Sequence, residues 1–348
     1  MRSLILTSAV LLAFLPGCGG KPSRTSLVVY SPHGKDLLQE FEHRFESVHQ
    51  DVDVQWLDMG SQDALDRIRT ERQNPQADLW WGGPMTMFEQ AEEEGLLERY
   101  IPSWDTCVAP AAKSSQGFWY GTFFTPEVIL YNTTMLQASD MPKDWDDLLA
   151  PAWKGKILIR APLASGTMRI VFSAIIERER ERSGTTDAGF QWLKRLDANT
   201  KAYVSDPSQL YIRIARGEAP LSIWNLPDIA MEASRAGYPF AYVLPASGSP
   251  MITDGIALVK GGKHMDAARL FYEFVTTTES MLLQSRAFYR IPARRDIPAD
   301  SLPSWLAGRV WTPMKIDWRS IAQHEGEWMK QWEEEVKGNG ATADQGTH

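Results

Sequence analysis

Residues 26–49 read SLVVYSPHGKDLLQEFEHRFESVH, and they decide the fold class. Ser26 to Ser31 is a short β-branched run that suits a strand. From Gly34 to His49, Leu37, Leu38, Phe41, Phe45 and Val48 recur at helical spacing between charged residues. A strand passing into a helix through Ser31-Pro32-His33-Gly34 is the first half of a βαβ unit. Outward from it, Val52 to Leu57 reads as a second strand, and Ser61 caps a helix through Gln73 with Ala64, Leu65 and Ile68 on one face. Ala77 to Trp81 is a third strand, stopped at Gly82-Gly83-Pro84 and followed by a helix through Glu94. Strands and helices alternating over short links give a parallel sheet covered by helices.

A second unit of the same kind lies further on, without sequence repetition of the first. Its strands are Lys156–Arg160, Ala202–Val204, Pro220–Trp224 and Phe240–Leu244, and its helices are Ser165–Arg182, Pro207–Gly217 and Asp228–Gly237. Between the units lies GTFFTPEVILYN (121–132), and after the second lies MITDGIALVK (251–260). Both are extended and apolar, and each can carry the chain from one unit to the other. Helices are expected over Met265–Phe288 and Trp318–Val336, then a polar, disordered tail over 338–348.

The length of 348 residues suits roughly two domains at ~150 residues each. With 43% hydrophobic and 23% charged residues the chain is globular in composition. Its net charge of −8 disfavours nucleic-acid partners. Two cysteines cannot build a disulfide scaffold, a four-cysteine zinc site or an iron–sulfur cluster. There is no GxSxG elbow, HExxH, GxxxxGK[ST] or helix-opening GxGxxG, and the six histidines are dispersed. The acidic runs Glu92–Glu94 and Glu333–Glu335 read as solvated helix faces.

The first residues are an address. Met1-Arg2 precedes an apolar stretch from Leu4 to Leu15, too short for a resident membrane span, which needs ~20 residues. Leu15-Pro16-Gly17-Cys18 resembles a bacterial lipoprotein signal, which implies cleavage after 17 and acylation of Cys18. The alternative is an ordinary signal peptide with Cys18 paired to Cys107. Residues 18–25 then form a tether, and several acyl chains would anchor it stably. Loss of Arg2 takes the charge of the folded part from −8 to −9.

Seven pieces, in order, carry a family resemblance: Val29-Tyr30-Ser31-Pro32-His33, Ala77-Asp78-Leu79-Trp80-Trp81-Gly82-Gly83, Trp153-Lys154-Gly155-Lys156-Ile157, Ala164-Ser165-Gly166-Thr167, Ala215-Arg216-Gly217-Glu218-Ala219-Pro220, Thr253-Asp254-Gly255-Ile256-Ala257-Leu258-Val259-Lys260 and Tyr289-Arg290-Ile291-Pro292. Over about residues 26 to 300 the chain resembles the solute-binding proteins of ABC importers, in the class that includes ferric-ion, polyamine and organophosphate binders. The resemblance implies an α/β, two-lobed periplasmic-binding-protein fold of type 2. Each lobe is then a mainly parallel sheet flanked by helices, and two crossover strands join them. Residues 26–122 and 256–337 would form the first lobe and 123–255 the second. It also implies an exported monomer, lipid-anchored through Cys18, that hands a small solute to a permease without cofactor or catalysis. The rival expectations are a ferric-ion binder using a synergistic anion, a lipoprotein enzyme, or a sensory protein.

Ligands of open parallel sheets sit beyond the carboxyl ends of the strands, so the residues there are the candidates. Ser31 and His33 follow the first strand, where the alternative is a plain capping turn. Gly82 and Gly83 allow close backbone approach, or make only a tight turn, while strand alternation sends Trp80 or Trp81 into the core. Ser165, Gly166 and Thr167 open the longest helix of the second unit. There free amides, hydroxyls and the helix dipole favour a phosphate, phosphonate or carboxylate, with Arg169 nearby; without a ligand they are an N-cap. Asn225 offers a donor and an acceptor, Asp228 a partner for an amine or a helix cap, and Asp254 a partner for an amine or hydroxyl or a brace for the crossover. Ferric-ion binders carry adjacent tyrosines after the Pro220–Trp224 strand. Here Leu226-Pro227-Asp228 stands instead, leaving Tyr203, Tyr211, Tyr238 and Tyr242 dispersed.

Overall fold

The computed structural model describes residues 24–309 and 311–338. In chain order it contains β1 (Thr25–Ser31), α1 (Lys35–Val48), β2 (Val52–Asp58), α2 (Ser61–Thr70), β3 (Leu79–Pro84), α3 (Met85–Glu93), the short β4 (Leu97–Glu98) and the long β5 (Tyr120–Asn132). Next come β6 (Ile157–Arg160), α4 (Gly166–Ser183), α5 (Asp187–Asn199), β7 (Thr200–Val204), α6 (Pro207–Ala215), β8 (Leu221–Asn225), α7 (Leu226–Met231) and β9 (Phe240–Val243). The chain ends with β10 (Met251–Val259), α8 (Met265–Val275), α9 (Thr278–Phe288), the short β11 (Ile291–Pro292) and α10 (Trp318–Glu335).

Each lobe is built on three parallel strands. In the first, β1 lies between β2 and β3, with Ser31 beside Asp58. In the second, β6 lies between β7 and β8, with Arg160 beside Val204. The lobes meet on β5. Tyr120 to Pro126 pairs antiparallel with β10, whereas Glu127 to Tyr131 pairs with β8 and Ile129 to Asn132 with β9. One strand thus changes partners between Pro126 and Glu127. The return crossing lies alongside, because the Glu127 amide donates to the Pro250 carbonyl at 3.0 Å. These two crossing points form the hinge.

The first lobe's sheet is buried on both faces. Adjacent Trp80 and Trp81 point to opposite sides and both are fully buried: Trp80 stacks on Phe88 at 4.0 Å, and Trp81 meets Phe41 edge-on at 5.4 Å. The second lobe's core runs from Val128 through Ile175 and Leu193 to Ile223. That core also takes in Trp328, Met329 and Trp332 of α10. The Trp328–Trp332 pair is a packing stripe, and Trp332 meets Phe172 and Tyr203 edge-on at 5.5 and 5.1 Å. Ala268, Phe271 and Val275 of α8 join the first lobe's core. The chain then crosses a third time, so that α10, expected with the first lobe, completes the second.

Several local expectations change. Ser61 is the first residue of α2 rather than its cap; Gly60 holds that position without a side-chain bond, and the helix stops at Thr70. Gly82 and Gly83 belong to β3, at φ of 102° and 121°. Helix α5 fills a stretch that the strand-and-helix reading leaves empty, burying Phe190, Trp192, Leu193 and Leu196. The span Met265–Phe288 is two helices, because Thr277 caps α9 by accepting from the Ser280 amide at 3.1 Å. The leader, Cys18, the tether up to Ser23 and the tail beyond Gly338 lie outside the described residues. Trp332→Ala should cost about 3–5 kcal/mol, the range for emptying a buried tryptophan site. Urea unfolding measures this, and a loss of only a few tenths would detach α10 from the core.

Candidate functional site

The carboxyl ends of both strand sets open into one cleft of about 660 Å³ between the lobes. Of the candidate residues, His33, Gly83, Ser165, Gly166, Thr167, Asn225, Asp228 and Asp254 line it. Ser31 and Gly82 stand behind the wall. Ser31 is fully buried and its Oγ accepts from the His33 amide. A Cβ on Gly82 would come within 2.3 Å of His33 Cε1, so this glycine makes room for the imidazole. His33 is itself packed between Trp81 and Phe123, with both ring centroids at 5.1 Å. Burial, reinforced by the nearby Arg290 charge, pushes its pKa well below the usual value, so it is neutral.

The amino end of α4 forms one wall. Ser165 Oγ is spent on the cap, accepting from the Met168 amide at 3.3 Å. Thr167 faces the cleft half-buried. Arg160 reaches the same place from the end of β6, a residue that motif reading passes over. Its Nη2 donates to the Ala164 carbonyl at 3.2 Å, its guanidinium lies 5.9 Å from the Trp224 ring, and its buried Nε has no partner. The terminus also abuts the other lobe, because a Cβ on Gly166 would lie 2.3 Å from Ser61 Oγ and 3.1 Å from Met87 Cε.

Asp228, in the first turn of α7, lies in the same lobe and lines the cleft too. Its Oδ2 accepts from Tyr211 Oη at 2.9 Å, Trp224 Nε1 at 3.1 Å and Asn225 Nδ2 at 2.9 Å. Asn225 Oδ1 accepts from the Asp228 amide at 2.9 Å, so both ends of this amide are engaged. Three donors fix one carboxylate oxygen and leave Oδ1 turned to the cleft, 3.9 Å from Arg290 Nη2. Arg290 comes from the first lobe, lies 4.9 Å over the Phe123 ring, is 6% exposed, and has a buried Nε without a partner. Asp254 braces the hinge: Oδ1 accepts from the Gly83 amide at 3.2 Å, Oδ2 accepts from Thr125 Oγ1, and its carbonyl from Thr122 Oγ1 at 3.1 Å. Burial raises its pKa, against the opposing pull of Thr125 and Arg290.

The cleft is therefore mixed in charge. Lys35, Arg160 and Arg290 face six carboxylates, Asp58, Asp63, Asp206, Asp228, Glu232 and Asp254. Asp58 and Glu232 are both raised in pKa, by burial first and by Asp228 in addition. The tyrosines stay apart. Tyr211 donates its hydroxyl hydrogen bond to Asp228, and Tyr203 donates to Asp197 in the second core. Tyr242 accepts from Arg309, and Tyr238 packs on Phe240. At the rim, Arg235 of the second lobe pairs with Asp36 at 2.6 Å and donates to the Ala287 carbonyl at 2.9 Å, so the lobes are clasped.

Residues 39–307 match the family model of bacterial extracellular solute-binding proteins. A probable ABC transporter periplasmic-binding protein, y4fP of Sinorhizobium fredii, is 26% identical over 314 residues, spanning 90% of this chain and 87% of its own. A putative 2-aminoethylphosphonate-binding periplasmic protein of Salmonella typhimurium is 24% identical over 271 residues, 72% of either chain. The solved periplasmic binding protein AfuA from Actinobacillus pleuropneumoniae, with exogenous fructose-6-phosphate bound, superimposes with a TM-score of 0.79 at 26% identity. It covers 90% of this chain and 99% of that one. Gly166→Ala places a methyl against Ser61 and should wedge the lobes apart. The expected result is a larger radius of gyration by small-angle scattering at unchanged helix content; a profile matching wild type would refute the contact.

Proposed function

This chain belongs to the bacterial extracellular solute-binding proteins, and from that premise we propose that it captures a small solute bearing a phosphate, phosphonate or carboxylate group. It closes on that solute between its lobes and presents the closed form to the permease of an ABC importer. The observation that carries the anionic group is Arg160, whose unpartnered Nε lies beside the amino end of α4 at Gly166 and Thr167. A guanidinium, free helix amides and a hydroxyl converge there, the donor set that a tetrahedral anion takes. The Salmonella relative is named for a phosphonate and AfuA was solved with a sugar phosphate, and these ligands share that head group.

The Asp228 cluster argues for a second recognition point. Asp228, held by three donors, offers Oδ1 to an ammonium or hydroxyl group, with Asp58 and Glu232 beside it. A purely anionic solute would meet six carboxylates; one with a positive or hydroxylated end would satisfy them. The work is binding, so no residue is assigned to catalysis and no cofactor is invoked. Cys18 is assigned as the acylated anchor that keeps the protein at the bacterial membrane as a monomer. Among the described residues no helix is long and apolar enough to cross a membrane.

Calorimetry with 2-aminoethylphosphonate and its amine-free counterpart ethylphosphonate tests both recognition points. Thr167→Val should weaken binding of either compound by ~1–3 kcal/mol, the cost of an unpaired polar partner. Unchanged affinity would remove Thr167 from the site. For the anchor, labelled palmitate should be incorporated by wild type and not by Cys18→Ser, and an unlabelled wild type would rule out acylation.

A further inference from the structure

Glu127 is a single charge in the apolar run of β5. Its side chain is fully buried, and neither carboxylate oxygen has a hydrogen-bond partner. It stands where β5 changes lobes, opposite Asn225 in register and with its amide on Pro250. Thr125, two residues earlier and so on the same strand face, lines the cleft. Glu127 therefore lies under the cleft floor, on the hinge itself.

The charged groups around it come from both lobes. From β10 of the first lobe Asp254 acts on it, and from α7 of the second lobe Asp228 does. Arg290, just before β11, is drawn to these same two acids rather than bonded to Glu127. Strand β8 presents Asn225, which is spent on Asp228. On β9 the titratable residue is Tyr242, engaged by Arg309. Closing the lobes thus gathers two carboxylates, one per lobe, around a third that is cut off from water.

We infer that Glu127 is a positioning residue of the cleft: Asp254 and Asp228 come together over the hinge when its carboxyl is protonated, so closure takes up one proton. The bond made is an O–H on Glu127, the proton comes from solvent, and opening returns it. Burial, then Asp254 and Asp228, raise its pKa well above the usual value in the closed form. Hinge opening admits water and separates the two acids, which returns the group toward its ordinary value of 4.5. The sign follows. Below that ordinary value both forms are protonated and closure takes up nothing. Between it and the closed form's raised value the closed form holds one more proton, so affinity falls as pH rises, by up to about tenfold per pH unit for one proton, and the dependence ends above that raised value.

This inference rests on the two-lobed binding reading, and its experiment has one arm without ligand. Infrared spectra of the ligand-free full chain, held closed by a thiol cross-linker between Asp36→Cys and Arg235→Cys at the rim clasp, should show at neutral pH a protonated-carboxyl component that disappears in Glu127→Gln and persists in Glu325→Gln. Glu325 is the control because it is another buried carboxyl, raised to about 7. In the second arm, calorimetry with 2-aminoethylphosphonate across the neutral range should give an affinity that falls with pH in wild type and a shallower slope in Glu127→Gln. A band unchanged by Glu127→Gln, or the wild-type slope in that variant, overturns the inference. Absence of binding heat overturns the proposed ligand class while the band still decides Glu127. If Glu127→Gln does not fold, lack of the band in the cross-linked closed chain with Glu127 intact overturns the inference.

Discussion

The architecture depends on one constraint: two sheets share the strand β5. Its first half belongs to the first lobe through β10, and its second half to the other through β8 and β9. A shared strand cannot shift its register in one lobe without shifting it in the other, because a one-residue slip would turn its buried side chains outward. The cleft therefore opens beside a fixed line in the sequence, and residues from distant segments converge on it. Thr125, Ile252 and Asp254 form the floor because they flank this line, and the strand ends at Asp58, Arg160 and Asn225 form the walls because the parallel strands point there.

The electrostatics of the cleft follow from how its charges are held. Asp228 has three donors on one oxygen, so its orientation is set before any solute arrives, and preorganisation lowers the entropy that binding must overcome. Asp254 is likewise fixed, but by the hinge backbone and Thr125, so the same residue type braces the frame instead of facing the solute. Arg160 and Arg290 each keep a buried Nε without a partner. A buried donor left unpaired is costly, so each guanidinium stands ready for an acceptor.

Most of the strand and helix order was legible because hydrophobic period and turn residues agree there. Strand β1, helix α1, both crossings and α10 lie where the pattern puts them. Helix α5 escaped although Phe190, Leu193 and Leu196 are helically spaced, because charged ends on both sides make its stretch resemble a loop. The break between α8 and α9 rests on a cap at Thr277 within an otherwise continuous apolar pattern. The cleft lining was legible where a helix opens in small polar residues, as at Ser165-Gly166-Thr167. Arg160 was not, since a lone arginine carries no motif; Arg290 stands within Tyr289-Arg290-Ile291-Pro292, but only the fold brings its side chain to the cleft. Glu127 did leave a signal, a charge inside TFFTPEVILY (122–131), whose meaning depends on burial that sequence cannot supply.

Helix α10 has a consequence for how the chain acquires its structure. The second lobe's core is finished by Trp328 and Trp332, and Ser320 bonds Glu177 across 143 residues of sequence. Contacts that distant close late, because loop entropy must be overcome before they contribute. Until α10 docks, the second core lacks those side chains and the apolar face of α4 that they cover stays exposed. One lobe's core thus stays open until a distant segment returns to it, which makes that docking the late step of folding.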